Sequence, residues 1–206
     1  VKLAFNQMHQ NVFMLNNTIT VAPNSQWKLA DYHLEPSRAY QLSLGVFRNI
    51  PRGGWETSVE VYYKSTKNYT EFKDGADFLS TPLVETTVLQ GDQTSYGFEF
   101  LLKRTGHRVD GWLAYTYSRS LVKVDGGQKW NQINNGNVYP SNFDIPHVVN
   151  AIINYHISKR VTLSSILSFQ SGKPATFPTS YYFIDGQPYL DYSKRNEYRI
   201  PNYFRT

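Results

Sequence analysis

The clearest signal along the chain is a period of two. In blocks of about ten residues, apolar or aromatic side chains alternate with polar or small ones, as in a strand with one half-buried face. Over 55–64, Trp55, Thr57, Val59, Val61 and Tyr63 fall on one face, and Glu56, Ser58, Glu60, Tyr62 and Lys64 on the other. Over 96–104, Tyr96, Phe98, Phe100 and Leu102 oppose Gly97, Glu99, Leu101 and Lys103. Residues 40–46, 109–118, 149–158 and 161–170 repeat the pattern. A shorter strand is predicted over 2–7, and another begins near Asn202. Helical spacing is not sustained anywhere. Apolar runs fall far short of the roughly 18 residues a membrane helix needs, whereas barrel strands alternate and so look hydrophilic on average.

The predicted connections alternate in length. Residues 49–54, 105–107 and 158–160 are short turns. Residues 11–37, 65–95, 120–146 and 172–201 are long. Placing Arg48 opposite Trp55 brings Leu44 to Val59 and Tyr40 to Tyr63. Placing Ile157 opposite Val161 brings Ile153 to Ser165 and Val149 to Phe169. Both hairpins keep one apolar face continuous, as register demands. Short turns at one end and long loops at the other describe an outer-membrane barrel. Loops of that length are uncommon in a compact soluble domain. Tyr40, Trp55, Tyr63, Tyr96, Tyr117 and Phe169, near strand ends on the apolar face, suit interfacial girdles. The expected fold is therefore all-β, an antiparallel transmembrane β-barrel segment of about seven or eight strands. Its short turns are periplasmic and its long loops extracellular. A soluble or surface-anchored β-sandwich that binds glycans is the alternative.

Composition sharpens this in places. With no Cys there is no disulfide, thiolate metal site or Cys nucleophile. The net charge of +5 is spread along the chain rather than gathered on one face, which argues against nucleic acid as a partner. The short turns carry Arg52, His107, Lys159 and Arg160, flanked by Arg48, Lys103, Arg104 and Arg108, with no Asp or Glu. They read as a rim facing lipid headgroups. No secretory signal precedes Val1, which opens inside an apparent strand, so the chain reads as an internal piece of a larger protein.

Some stretches are more specific. Residues 58–78 (SVEVYYKSTKNYTEFKDGADF), 96–120 (YGFEFLLKRTGHRVDGWLAYTYSRS), 139–158 (YPSNFDIPHVVNAIINYHIS) and 192–205 (YSKRNEYRIPNYFR) cover most of the chain from Tyr40 onward. The Tyr-Gly-x-Glu, Gly-Trp-x-x-Tyr-Thr-Tyr-Ser and Asp-x-Pro-His steps, in that order, resemble the C-terminal part of the barrel of a TonB-dependent outer-membrane receptor, of the kind abundant in Bacteroidetes. The resemblance implies a 22-stranded barrel filled by a plug. Residues 1–206 would be part of that barrel, with the N-terminal plug domain and the remaining strands outside this chain. It further implies ligand-gated import of a siderophore, glycan or other large nutrient, energised through TonB. Outer-membrane lipid, the plug, TonB, a surface lipoprotein and the nutrient are the expected partners. The expected location is the bacterial cell outer membrane.

Candidate chemistry is sparse. Asp144, His147 and Ser171 invite a hydrolase reading, since His147 falls opposite Ser171. A polar strand end at the interface is the favoured account of them. Glu56, Glu60 and Glu99 share the polar face, where paired carboxylates could do acid–base work, but solvated or plug-facing carboxylates of a polar inner wall are the favoured reading. The five His residues lack metal-ligand spacing, and Gly126-Gly127 lacks the Lys-Ser/Thr of a phosphate cradle. The chain is read as no enzyme, with no cofactor or metal. Recognition is placed in residues 120–146. Trp130, Asn131, Asn134 and Tyr139 are the proposed ligand contacts, supported by Gln132, Asn135 and Asn137. A self-packed loop with Asn-rich turns is the competing account. The loop bearing Tyr69, Phe72 and Phe78 is the second candidate.

Overall fold

The period of two becomes one large antiparallel sheet. The computed structural model describes residues 1–15, 26–74, 76 and 83–206. Its strands are β1 (Lys2–Gln10), β2 (Val12–Leu15), β3 (Gln26–Leu29), β4 (Ser37–Ile50), β5 (Trp55–Phe72), β6 (Val88–Arg104) and β7 (Val109–Lys123). They continue with β8 (Tyr139–Pro140), β9 (His147–Ser158), β10 (Val161–Gln170), β11 (Pro174–Ala175), β12 (Pro178–Ile184), β13 (Gln187–Tyr192), β14 (Tyr198–Arg199) and β15 (Tyr203–Arg205). The main sheet runs β1-β4-β5-β6-β7-β9-β10-β15, with β8 added alongside β7. The sheet is open, with β1 and β15 at its ends. The other sheets among the described residues, β2–β3, β11–β14 and β12–β13, have two strands each, so no second large sheet faces the main one as in a β-sandwich.

The register keeps side chains sorted. One row of paired residues reads Val46, Val59, Phe100, Tyr115, Val149, Phe169 and Phe204. The next row, on the other face, reads Gly45, Glu60, Glu99, Thr116, Val148, Gln170 and Tyr203. The apolar row and its neighbours lie open, with Ile153 54% exposed. An apolar face this extensive calls for a non-aqueous cover.

One predicted register is corrected. Ile50, not Arg48, lies opposite Trp55, so Val46 meets Val59 and Leu44 meets Val61. Strand β4 runs on to Ile50, and a 3-10 turn over Pro51–Gly53 closes the hairpin through Gly54, whose φ is +62°. A Cβ at Gly54 would run into the Thr105 carbonyl oxygen. The displacement is two residues, and an even shift leaves both faces intact. The β9–β10 pairing is as predicted from Ile153–Ser165 to Val149–Phe169. An irregularity at Val161 and Thr162 places Ser158 opposite Val161 in place of Ile157.

Strands β5 and β6 are longer than predicted, 18 and 17 residues. About 9–11 residues cross a bilayer, so their far ends rise beyond any membrane. The polar run Ser65–Thr66–Lys67–Asn68 hides this extension, and there the pattern changes phase. Thr66 pairs with Gln93 but Tyr69 pairs with Gly91, so Lys67 and Asn68 together oppose Asp92. Asn68 takes φ +56°, and Lys67 Nζ lies 2.6 Å from the Asp92 carboxylate. This bulge reverses the faces above it, and Tyr69 and Glu71 therefore join the polar side.

The buried residues gather beside these raised ends. Phe13, Leu15 and Leu34 pack with Phe72 and Val88 on the apolar side. Val122, Val124, Ile133 and Tyr139 pack with Tyr69 and Leu89 on the polar side. Two hairpins, β2–β3 and β12–β13, occupy stretches predicted as plain loop.

Candidate functional site: the external loop cap

Residues 124–146 leave β7 and fold back over the polar face of the raised strands. Ile133 and Tyr139 are the anchors, each almost fully buried in the second core. Between them Asn134, Asn135 and Gly136 take φ +53°, +56° and +73°. Asn tolerates the left-handed region because its short amide bonds locally, so the Asn-rich segment can reverse direction. Gln132 donates to the Asp125 carboxylate at 2.7 Å, and the Gly126 N–H donates to the Asn131 carbonyl at 2.9 Å.

A second segment, 193–199, holds this loop down. Arg195 Nη1 donates to Glu71 Oε2 at 2.9 Å, and its Nη2 donates to Asp74 Oδ1 at 2.6 Å and to the Phe72 carbonyl at 2.7 Å. Its backbone N–H donates to Asn134 Oδ1 at 2.8 Å, and its carbonyl accepts from Asn134 Nδ2 at 3.0 Å. Asn196 Nδ2 donates to the Pro140 carbonyl and to Asn142 Oδ1. Arg199 bonds the Asp144 carboxylate and carbonyl. Three long connections are thus joined into one cap. Burial pushes the Glu71 carboxyl up from its ordinary value, against the pull of Arg195. Burial likewise pushes the Tyr69 hydroxyl up to about 12, and that of Tyr139 higher still.

The predicted contact residues separate into two levels. Trp130 is 68% exposed on the outside of the cap. Asn131 lines a cleft of about 210 Å³ with Leu15, Lys28, His33, Glu85 and Gln90. Asn134 is engaged with the Arg195 backbone beneath, and Tyr139 is 3% exposed. Gln132 ties the loop to Asp125, and Asn137 donates to the Asn134 carbonyl. Of the second candidate loop, Tyr69 and Phe72 enter the two cores and Phe78 lies outside the described residues. Arg195, Asn196 and Arg199 were not singled out in the sequence. The signal is the pair of cations inside the Tyr-rich segment YSKRNEYR, but their carboxylate acceptors are 55 or more positions away.

The other clusters take structural form. Asp144, 1% exposed, receives Arg119 Nε at 3.2 Å, the Ser120 N–H at 2.7 Å and Arg199. Ser171 Oγ accepts from the His147 backbone N–H at 2.9 Å, while the His147 ring lies against Tyr115 and Tyr117. Asp144 is held by Arg119, Ser120 and Arg199, Ser171 by the His147 backbone and the imidazole by the Tyr115 hydroxyl, so these bonds do not link the three into a triad. Glu60 and Glu99 sit directly opposite each other on the polar face. Among the described residues no cluster of His, Asp or Glu is placed to hold a metal ion.

A model of the TonB dependent receptor-like β-barrel family matches residues 5–206. The chain belongs to that family. No curated protein and no solved structure matches it. Membership places this receptor in the outer membrane, in a family of transporters that carries a plug domain and interacts with TonB. The apolar face is accordingly the lipid face and the polar face is the lumenal wall. The short turns are periplasmic and the cap external. Strands β1, β4–β7, β9, β10 and β15 form part of a barrel wall.

Proposed function

We propose that this receptor admits a large nutrient, such as a ferric siderophore or an oligosaccharide, by ligand-gated import energised through TonB. The cap carries this reading. Residues 124–146 pack on the lumenal side of β5–β7, so a ligand approaching the lumen meets them first. Trp130 offers a flat apolar face at low entropy cost, and Asn131 offers a directional amide beside the cleft. Asn134 and Tyr139 serve the same site from below, by holding the loop in shape. A surface lipoprotein is a further proposed partner on the external side. On the lumenal wall, the plug is the proposed cover for two features. One is the Glu60–Glu99 pair, whose like charges oppose each other unless a cation faces them. The other is the groove lined by Trp112, Ile152 and Ile166.

The test is binding of a panel of ferric siderophores and oligosaccharides to the intact receptor. Trp130→Ala should weaken the ligand that binds by roughly tenfold or more, a loss of about 1.4 kcal/mol or above, with barrel assembly unchanged. Full affinity in both Trp130→Ala and Asn131→Ala would move recognition to other loops or to the plug.

A further inference from the structure

We propose that the periplasmic rim of this wall is a binding surface for anionic phospholipid headgroups of the inner leaflet. The rim is built from the turns β4–β5, β6–β7 and β9–β10. Arg48, Arg52, Arg104, Arg108, Lys159 and Arg160 are all exposed there. None of them makes an ion pair with any described residue.

The carboxylates near the rim point the other way. Glu56 faces the lumen and holds Lys103 at 3.3 Å, and Asp110 faces the lumen and holds His156. Strand alternation has thus turned the acids inward and left the outer edge of the rim cationic.

Two of the cations belong to the lipid-facing rows. Arg48 shares its row with Thr57, Leu102 and Leu113. Arg104 shares the next with Ile50 and Trp55, and its guanidinium lies 5.0 Å from the Trp55 ring centroid. Trp settles at the headgroup level of a bilayer. Stacking on that ring therefore holds Arg104 at headgroup height with its N–H fork free. The fork matches a phosphate with two parallel bonds. Successive turns are two strands apart, about 10 Å, which is near the screening length at physiological salt. Their fields overlap into one basic band. A periplasmic protein could reach the turn residues, but Arg48 and Arg104 open onto lipid.

The experiment is native mass spectrometry of the intact receptor from nanodiscs of phosphatidylethanolamine containing a minor share of phosphatidylglycerol. The wild type should retain phosphatidylglycerol several-fold above its bulk share, less so at high salt, and undiminished by inorganic phosphate. R48Q/R104Q should lose most of this enrichment, and adding R52Q and R108Q should abolish it. K123Q/K129Q, on the external side, should keep it. Assembly of each variant is checked by its heat-modifiable gel shift, and the double variant stands alone if the quadruple one fails to assemble. Equal retention of both lipids by the wild type would overturn the proposal. So would enrichment that survives R48Q/R104Q. Loss of transport with lipid retention unchanged would also overturn it, and would assign the rim to a periplasmic protein.

Discussion

Arg195 in the external cap and Arg104 on the periplasmic rim are the same side chain in opposite settings. The first is 8% exposed and has Glu71, Asp74 and the Phe72 carbonyl around its guanidinium. The second is exposed, lies over Trp55 and has no ion-pair partner among the described residues. The difference follows from what else holds each end together. At the rim the hairpins are closed by their own ladders, and the Thr105 N–H donates to the Gly54 carbonyl at 2.8 Å to join two turns. Nothing there needs a staple, and the cations stay available to the surroundings. The cap has a small apolar core and segments far apart in sequence. Charged hydrogen bonds of defined direction fix their arrangement where apolar area is short.

Breaking the cap is the largest expected effect. Arg195→Ala strands Glu71 in a buried site and should cost the cap roughly 3–5 kcal/mol. Hydrogen exchange should quicken over 69–74, 124–142 and 193–199 while β9 and β10 below them keep their protection. Uniform loosening of wall and cap together would show that the two are one cooperative unit.

The wall tests the other half of the comparison. Arg at Phe100 or Ile153 should cost roughly 2–4 kcal/mol near the bilayer midplane, and Arg at Glu99 or Asn154 much less. Reversible folding into lipid vesicles gives the numbers. Equal penalties on both faces would reject the assignment of lipid and lumen.

The smallest effect is a pH dependence at the edge of the cap. Lys28 bonds Glu85 and lies 3.0 Å from Asp31, and these contacts hold both carboxyls below their ordinary values of 4.5 and 3.8. A lowered carboxyl stabilises the fold fully above its ordinary pKa and loses that contribution as pH falls through the lowered one. The β2–β3 hairpin should therefore loosen only below about pH 4, with a shallow response flattened further by salt. Fluorescence of the exposed Trp27 is the readout, and loosening already at pH 6 would contradict it.

Much of the wall was legible because alternation is a local property. The faces of β5, β6, β7, β9 and β10 follow from period two, and even a register two residues out preserves them, as at Ile50 and Trp55. The raised ends of β5 and β6 were not legible, because above the bulge each face carries both a small core and polar residues, and alternation no longer distinguishes them. Of the proposed contact residues, the exposed Trp130 is what an isolated Trp in an Asn-rich loop suggests. The burial of Tyr139 depends on Val122, Tyr69 and Leu89 arriving from other strands. The clasp of Arg195 on Glu71 spans 124 positions, a separation at which a single sequence carries no pairing information.

The extra residue in β5 between Thr66 and Tyr69 has a genetic consequence. Lys67 and Asn68 share one partner, so loss of the Asn68 codon would leave Lys67 alone opposite Asp92 and Tyr69 still opposite Gly91, with every side above it unchanged. Loss of both codons would set Tyr69 opposite Asp92 and exchange the two sides of everything above. Tyr69 and Glu71 would then swing outward, Thr70 and Phe72 inward, and Arg195 would meet a ring where it now meets a carboxylate. The lineage of this receptor can thus shed one codon at Asn68 and keep its cap, but not two.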